Sequence, residues 1–259
     1  MSRPRPLGRS DESRPFGPDD DQTKSKANTP PTVITPDLPA SWPGVEQKGH
    51  EKIMPTLYYA VGACSLAPHI ALEWIGAPYE AVKVQYGSKD LLTLNPAGAV
   101  PTLQEDDGWL LTQCGAILDY LAAKHPEARL SGGNGIRAKA DAHRWSAFFT
   151  SDVHASFWPI FMPYRYTTDD NEVARHAVVA AGYKLVAKQF GILNDHLEDR
   201  DHILDGGRSV IDAYAFPMIR WGIKLLPGGL EEYSNVQALH DRLAADTAVQ
   251  TVLAREAGT

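Results

Sequence analysis

The order of apolar and polar positions predicts a strand, a tight turn and a helix near residue 60. Apolar β-formers run from Leu57 to Val61, and apolar residues then recur at helical spacing from Leu66 to Ile75. A glycine, a cysteine and a serine stand between the two runs. The change of period from two to about 3.6 residues marks the passage from strand to helix.

Three further strands are predicted before residue 115. Residues 79–85 alternate between apolar and polar side chains, which is typical of a strand near a sheet edge. A short helix, residues 91–94, ends at an Asn-Pro pair. Residues 102–104 and 109–111 flank an Asp-Asp-Gly turn, which predicts a hairpin, and a helix opens after it. These elements predict a small α/β domain.

From residue 136 onward the period is helical. The pattern predicts one long aromatic-rich helix that ends near Pro159 to Pro163, and a second helix over residues 172–198. Ser209 and Asp212 have the spacing of a capping box and predict the start of another helix. This half of the chain is therefore predicted to be a helical bundle.

Residues 1–53 differ in composition from the rest. They hold nine of the nineteen prolines, only eleven hydrophobic residues, and eight basic against eight acidic side chains. Such a segment buries too little apolar surface to offset the entropy of ordering, so it is predicted to be a disordered tail. The alternative is that this stretch is upstream sequence and that translation begins at Met54.

Composition excludes several functions. The formal net charge of -7 argues against nucleic acid or an anionic membrane as a partner. Two cysteines do not make a secreted disulfide framework, which favours a reducing cytoplasm. No apolar run is long enough to span a bilayer, and no histidine or cysteine spacing suits a metal.

The candidate chemistry lies in the first turn. Cys64 and Ser65 fall where the turn becomes the helix, and first-turn amides together with the helix dipole favour an anion there. Pro68 suits a first turn because its missing N–H costs nothing. The alternative is that Cys64 is simply a small buried apolar residue.

The stretch Tyr-Tyr-x-Val-Gly-Ala-Cys-Ser-Leu-Ala-Pro-His-Ile, residues 58–70, resembles the opening of the bacterial, beta-class glutathione S-transferases. In that family the cysteine faces the thiol of bound glutathione. The resemblance runs from about Thr56 to the C-terminus. It implies the glutathione S-transferase fold, with an α/β thioredoxin-like N-terminal domain at residues 54–130 and an all-α helical-bundle domain at residues 137–257.

The resemblance also implies the residues that bind glutathione. Val100 would pair through its backbone with the tripeptide, before a cis Pro101. Gln113 and Cys114 would hold the γ-glutamyl end, although the family has serine where this chain has Cys114, and a thiol is the weaker donor. Lys89 is available as the counterpart of a lysine that the family uses near glutathione.

Cys64, Ser65 and His154 are the predicted catalytic residues. The family places a histidine after Ser-Asp-x on the aromatic helix, facing the cysteine, and His154 matches, although a lone helical histidine is usually structural. The electrophile would sit between Cys64 and aromatic side chains of the helical half. The predicted aromatic residues are Phe157, Trp158, Phe161 and Tyr164, with Trp221 as a further candidate.

The resemblance thus implies a cytoplasmic, homodimeric glutathione transferase. Its co-substrate is glutathione, its second substrate a small hydrophobic electrophile, and no metal is needed. Two alternatives stay open: a non-catalytic glutathione-binding scaffold, and a glutathione-dependent disulfide reductase. Because the residue three beyond Cys64 is Ala67, the spacing allows only monothiol chemistry in the second case.

Overall fold

A mixed four-stranded sheet forms the first part of the described chain. The computed structural model describes residues 54–258, and the predicted disordered tail lies outside the described residues. The strands are β1 (Thr56–Tyr59), β2 (Glu80–Lys83), β3 (Thr102–Gln104) and β4 (Leu110–Thr112). Their order is β2-β1-β3-β4, with β1 parallel to β2 and antiparallel to β3, and with β3 antiparallel to β4. The alternating strand β2 lies at an edge, as its pattern predicts.

Helices connect the strands and make up the rest of the described chain. Three belong to the sheet-containing part: α1 (Leu66–Ile75), α2 (Lys89–Leu94) and α3 (Cys114–Lys124). The others are α4 (Ile136–Ala147), α5 (His154–Phe161), α6 (Glu172–His196), α7 (Val210–Leu225), α8 (Ser234–Ala244) and α9 (Thr247–Ala257). Among residues 54–258, no helix is long and apolar enough to cross a membrane.

Helix α1 is at the centre of the packing. Its residues 66–72 are all buried, and it contacts β1, α3, α7 and α9. His69 is one of these buried residues, and its Nδ1 lies 2.9 Å from Oε1 of the buried Glu256 on α9. A buried imidazole needs such a partner because its polar atoms have lost water. This pair connects α9 to α1.

The hydrophobic core is continuous between the sheet and the helical half. One cluster of buried side chains includes Leu57 of β1, Ile70 of α1, Phe190 of α6 and Phe216 of α7. Each such side chain contributes roughly 1.5–3 kcal/mol when it leaves water. The division into domains at residues 54–130 and 137–257 stays a prediction.

The predicted capping box is present and buried. The hydroxyl of Ser209 accepts a hydrogen bond from the N–H of Ile211, and Oδ2 of Asp212 accepts one from the N–H of Ser209 at 2.8 Å. Asp212 Oδ1 also accepts from the N–H of Ile203 at 3.0 Å. Asp212 is fully buried, so it satisfies backbone groups that no water reaches.

The predicted long aromatic helix is interrupted. Between α4 and α5, residues 148–153 form a π-helical segment, which the periodic pattern did not predict. The N–H of His154 accordingly bonds to the carbonyl of Phe149, five residues earlier. A π-segment holds one residue more per turn than an α-helix and leaves the apolar spacing nearly intact, so the sequence pattern does not reveal it.

We expect Asp212→Ala to cost about 3 kcal/mol of unfolding free energy, because it leaves the N–H groups of Ser209 and Ile203 buried without acceptors. Asn171→Ala is the control, since Asn171 caps α6 with a single hydrogen bond at an exposed position and its loss costs about 1 kcal/mol. Urea denaturation measures both. Equal losses in the two variants would contradict the buried role of Asp212.

Candidate active site

The turn that carries Cys64 is closed by the hydroxyl of Ser65. This oxygen accepts a hydrogen bond from the N–H of Ala60 at 3.1 Å and donates to the carbonyl of Ala60 at 3.2 Å. Ser65 is fully buried, and Gly62 takes the left-handed conformation that the turn requires, with φ of 75°. The one hydroxyl proton of Ser65 is therefore used inside the turn. This differs from the prediction of Ser65 as a direct donor at the catalytic site.

Cys64 and Val100 come together at the start of α1. The Cys64 thiol donates to the carbonyl of Val100 at 3.5 Å, and the Val100–Pro101 bond is cis, as predicted. Both Cys64 and Val100 are 7% exposed. Cys64 thus belongs to the hydrophobic core, as the alternative interpretation expects, and its sulfur also lies against the backbone predicted to pair with glutathione.

A small apolar cluster holds this region to α2. Leu91 of α2 packs with Ala60, Ala63 and Val100. Lys89 is the first residue of the same helix and is exposed. Lys89 therefore lies two residues from the cluster, and its contact with the ligand stays a prediction.

Gln113 and Cys114 form the start of α3. Gln113 is exposed and has φ of 73°, a conformation that costs energy for a residue with a Cβ, and its side chain makes no capping hydrogen bond to α3. The first-turn N–H groups of α3 are thus left without a side-chain cap from Gln113, as a site for a carboxylate requires. Strained backbone of this kind concentrates at functional sites.

The Cys114 side chain is buried at the start of α3. It is 5% exposed, and its thiol donates to the carbonyl of Cys64 at 3.5 Å. Burial is the largest cause that raises the pKa of the Cys114 thiol well above its usual value. The thiol proton is therefore engaged by the cysteine turn, and contact of Cys114 with the γ-glutamyl end stays a prediction.

His154 begins α5 and is surrounded by aromatic rings. Its imidazole stacks on Trp158, with ring centroids 5.6 Å apart, and contacts Trp221 at 5.2 Å. Burial lowers the pKa of His154 from 6.5 to about 4, so the ring is neutral at physiological pH. A neutral imidazole donates one hydrogen bond but brings no positive charge to the site.

Trp221 of α7 joins the helical half to the cysteine turn. Its indole N–H donates to the carbonyl of Gly62 at 2.8 Å, and its ring contacts His154, Phe157 and Phe161. The sequence suggested Trp221 only as a further pocket residue. Nothing in its local pattern could reveal a hydrogen bond to a residue 159 positions away.

We call His154, Trp158, Phe161 and Trp221 the aromatic surface. Phe161 is 39% exposed, and the guanidinium of Arg165 lies 5.5 Å from the Trp158 ring centre. Phe157 is fully buried between Phe161, Phe190 and Trp221, so it supports this surface and does not line it, contrary to the prediction. Tyr164 is 59% exposed beyond the end of α5.

Comparison with known proteins supports the resemblance to the glutathione S-transferases. Residues 61–129 match the family model for the glutathione S-transferase N-terminal domain. The chain is 37% identical over 204 residues to glutathione S-transferase GST-4.5 of Xanthomonas campestris pv. campestris, which covers 77% of this chain and 98% of that protein. This chain belongs to the glutathione S-transferase family.

Two solved structures of bacterial glutathione S-transferases are similar to this family member. The beta-class glutathione S-transferase of Sphingomonas chungbukensis superposes with a TM-score of 0.69 at 34% identity, over 78% of this chain and 98% of that one. A sphingomonad glutathione S-transferase in complex with glutathione gives 0.70 at 33% identity, over 79% and 100%. The predicted fold, a thioredoxin-like part followed by a helical part, is confirmed. Within residues 54–258 there is no group of three or more metal-ligating side chains.

We expect His154 to make the unfolding free energy depend on pH between about 4 and 6.5. In this window the unfolded chain protonates the imidazole and the folded chain does not, so stability rises with pH and is lost toward acid. His154→Gln should flatten this part of the curve. Denaturant titrations across the window test this, and identical slopes for wild type and His154→Gln would contradict it.

Proposed function

We propose that this protein binds glutathione beside Cys64 and transfers its thiol to small apolar electrophiles. The observation that carries the proposal is the convergence of three distant segments on the turn that carries Cys64. The Cys64 thiol bonds to the Val100 carbonyl, the Cys64 carbonyl accepts from Cys114, and Trp221 holds the same turn through Gly62. This arrangement brings a peptide-pairing backbone, a helix N-terminus and an aromatic surface to one place.

Glutathione would be held by backbone groups more than by side chains. The backbone of Val100 is the proposed partner of the cysteinyl part of the tripeptide. The N–H groups at the start of α3, together with Gln113, would receive the γ-glutamyl carboxylate, since a helix N-terminus favours an anion. Lys89, exposed at the start of α2, is proposed for the other carboxylate.

The residues beside the glutathione sulfur would act by hydrogen bonding. Donors that favour the thiolate lower the barrier for attack on an electrophile. Cys64 and neutral His154 are the proposed catalytic donors. Ser65 is proposed as a positioning residue, because its hydroxyl fixes the turn that presents Cys64.

The electrophile would rest on the aromatic surface. Stacked indole and imidazole rings favour flat apolar molecules, and aromatic contacts add roughly 0.5–1.5 kcal/mol beyond the burial of area. The low pKa of His154 keeps this surface uncharged, which suits neutral substrates. Arg165, over Trp158, is a cation that could meet a polar substituent of the substrate.

The family resemblance further supports a homodimer that works in the cytoplasm in detoxification. Light scattering after size-exclusion chromatography tests the dimer: a monomer at micromolar concentration would count against it. Two alternatives remain, a non-catalytic scaffold and a glutathione-dependent reductase. A transferase conjugates glutathione to an electrophile, and these two do not.

Retention on a glutathione resin, followed by a panel of aryl halides, epoxides and unsaturated carbonyls, separates these functions. We expect retention and conjugation in the wild type. In Cys64→Ala, conjugation should fall only in part, because the reacting sulfur belongs to glutathione, while exchange with disulfides should be lost. Retention with no conjugation of any electrophile would favour the scaffold.

A second prediction concerns the indole of Trp221. We expect Trp221→Phe to lower conjugation several-fold, since the cysteine turn loses its hydrogen bond to the helical half. Trp74→Phe is the matched control: Trp74 donates through the same nitrogen to Asp246 at 3.1 Å, away from the site. Both variants should lose about 1 kcal/mol of stability. Equal conjugation rates in the two would contradict a role for the Gly62 contact.

A further inference from the structure

The fold brings the two cysteines together although the sequence separates them by fifty positions. Cys64 precedes α1 and Cys114 begins α3, and the Cys114 thiol lies 3.5 Å from the carbonyl oxygen of Cys64. Both are free and buried. The absence of a Cys-x-x-Cys motif predicts monothiol chemistry, but the structure supplies a second thiol beside the first.

The position of Cys114 is fixed by close packing of α3. A Cβ on Gly115, the next residue, would come within 2.9 Å of the Ser146 hydroxyl and 3.1 Å of the Thr150 hydroxyl. A side chain at position 115 would therefore displace these two hydroxyl groups. The first turn of α3, which carries Cys114, thus packs closely against the end of α4 and the π-segment.

A chain of two hydroxyl groups reaches the Cys114 sulfur. Thr150 donates to the carbonyl of Ser146 at 2.8 Å, and its oxygen lies 3.2 Å from the hydroxyl of Tyr214. The Tyr214 hydroxyl also interacts with the Cys114 thiol. Because the Thr150 proton is engaged by Ser146, the Tyr214 proton is free to turn toward either Thr150 or the sulfur. A phenol that donates to sulfur favours its thiolate.

We propose that Cys64 and Cys114 act as a dithiol pair that exchanges disulfides with oxidised glutathione. The proposal rests on the proposed function to the extent that Cys64 meets glutathione. It adds an activity that a single cysteine cannot perform, because the second thiol releases the glutathione bound to the first.

The exchange takes two steps. The Cys64 thiolate attacks oxidised glutathione, breaks its S–S bond, and forms a mixed disulfide while one glutathione thiolate leaves. The Cys114 thiolate then attacks the Cys64 sulfur, forms the Cys64–Cys114 bond and releases the second glutathione. The protein loses two electrons and two protons, and oxidised glutathione becomes two molecules of reduced glutathione.

Burial makes the second step the slower one. The raised pKa of Cys114 keeps most of this thiol protonated at neutral pH, and the thiolate is the attacking species. Closure of the pair should therefore accelerate as the pH rises. The hydroxyl of Tyr214 acts as a positioning and stabilising group for this thiolate.

Mass spectrometry of the full chain tests the pair. The reduced protein is mixed with excess oxidised glutathione, quenched with acid and digested. We expect a chain that has lost two hydrogens, a peptide linking Cys64 to Cys114, and two glutathione molecules released per chain. Cys114→Ala should stop at one glutathione attached to Cys64. Tyr214→Phe should form the mixed disulfide at the normal rate and close several-fold more slowly, with its pH profile shifted upward.

Two results separate this inference from the proposed function. A wild type that accumulates the mixed disulfide with Cys114 still free would overturn the dithiol pair and leave glutathione binding intact. A protein that is not retained on glutathione resin would overturn the proposed function, and hydrogen peroxide then tests the pair alone. Peroxide converts Cys64 to a sulfenic acid, which condenses with Cys114 and releases water. A linked peptide supports the pair, and its absence overturns it.

Discussion

The enclosure of helix α1 is the constraint on which the rest of the structure depends. The helix has β1 on one side and α3, α7 and α9 on the others, so its position cannot change without moving the core. Buried polar groups in and beside it find partners in the protein: Nδ1 of His69 pairs with Glu256, and the hydroxyl of Ser65, just before the helix, bonds to Ala60. The place where α1 begins therefore fixes Cys64, and the helices that enclose α1 bring their own side chains to it.

The same enclosure determines the electrostatics of the site. The chain as a whole carries a net charge of -7, yet the described contacts of Cys64 include the carbonyl of Val100 and the thiol of Cys114, and the imidazole of the aromatic surface has a pKa lowered by burial. Helix N-termini contribute positive potential there. The proposed binding mode uses directed N–H groups, with Lys89 for one carboxylate, and leaves an apolar face for a neutral reactant.

Features that depend on nearby residues could be predicted from the sequence. The strand, turn and helix around Cys64, the edge position of β2 and the capping box of Ser209 and Asp212 all follow from local spacing. Contacts between distant segments could not. The bond from Trp221 to Gly62, the inward direction of the Cys114 thiol and the burial of Phe157 result from how helices pack, and side-chain periodicity carries no information about them. Ser65 shows the same limit at short range, because its position was predicted and its hydrogen-bond partner was not.

The π-helical segment before His154 makes the type of helix, and not only the residues in it, a condition for the site. A turn closed by bonds between residues five apart holds about one residue more than an α-helical turn, so residues 148–153 take up one extra residue. Each residue of an α-helix turns the chain by about 100°. If the same residues formed a regular α-helix, His154 would therefore point roughly a quarter-turn away from Trp221, although the core would still be apolar. A deletion that removes the extra residue keeps the alignment, whereas a substitution that converts the wide turn to α-helix rotates the imidazole out of it.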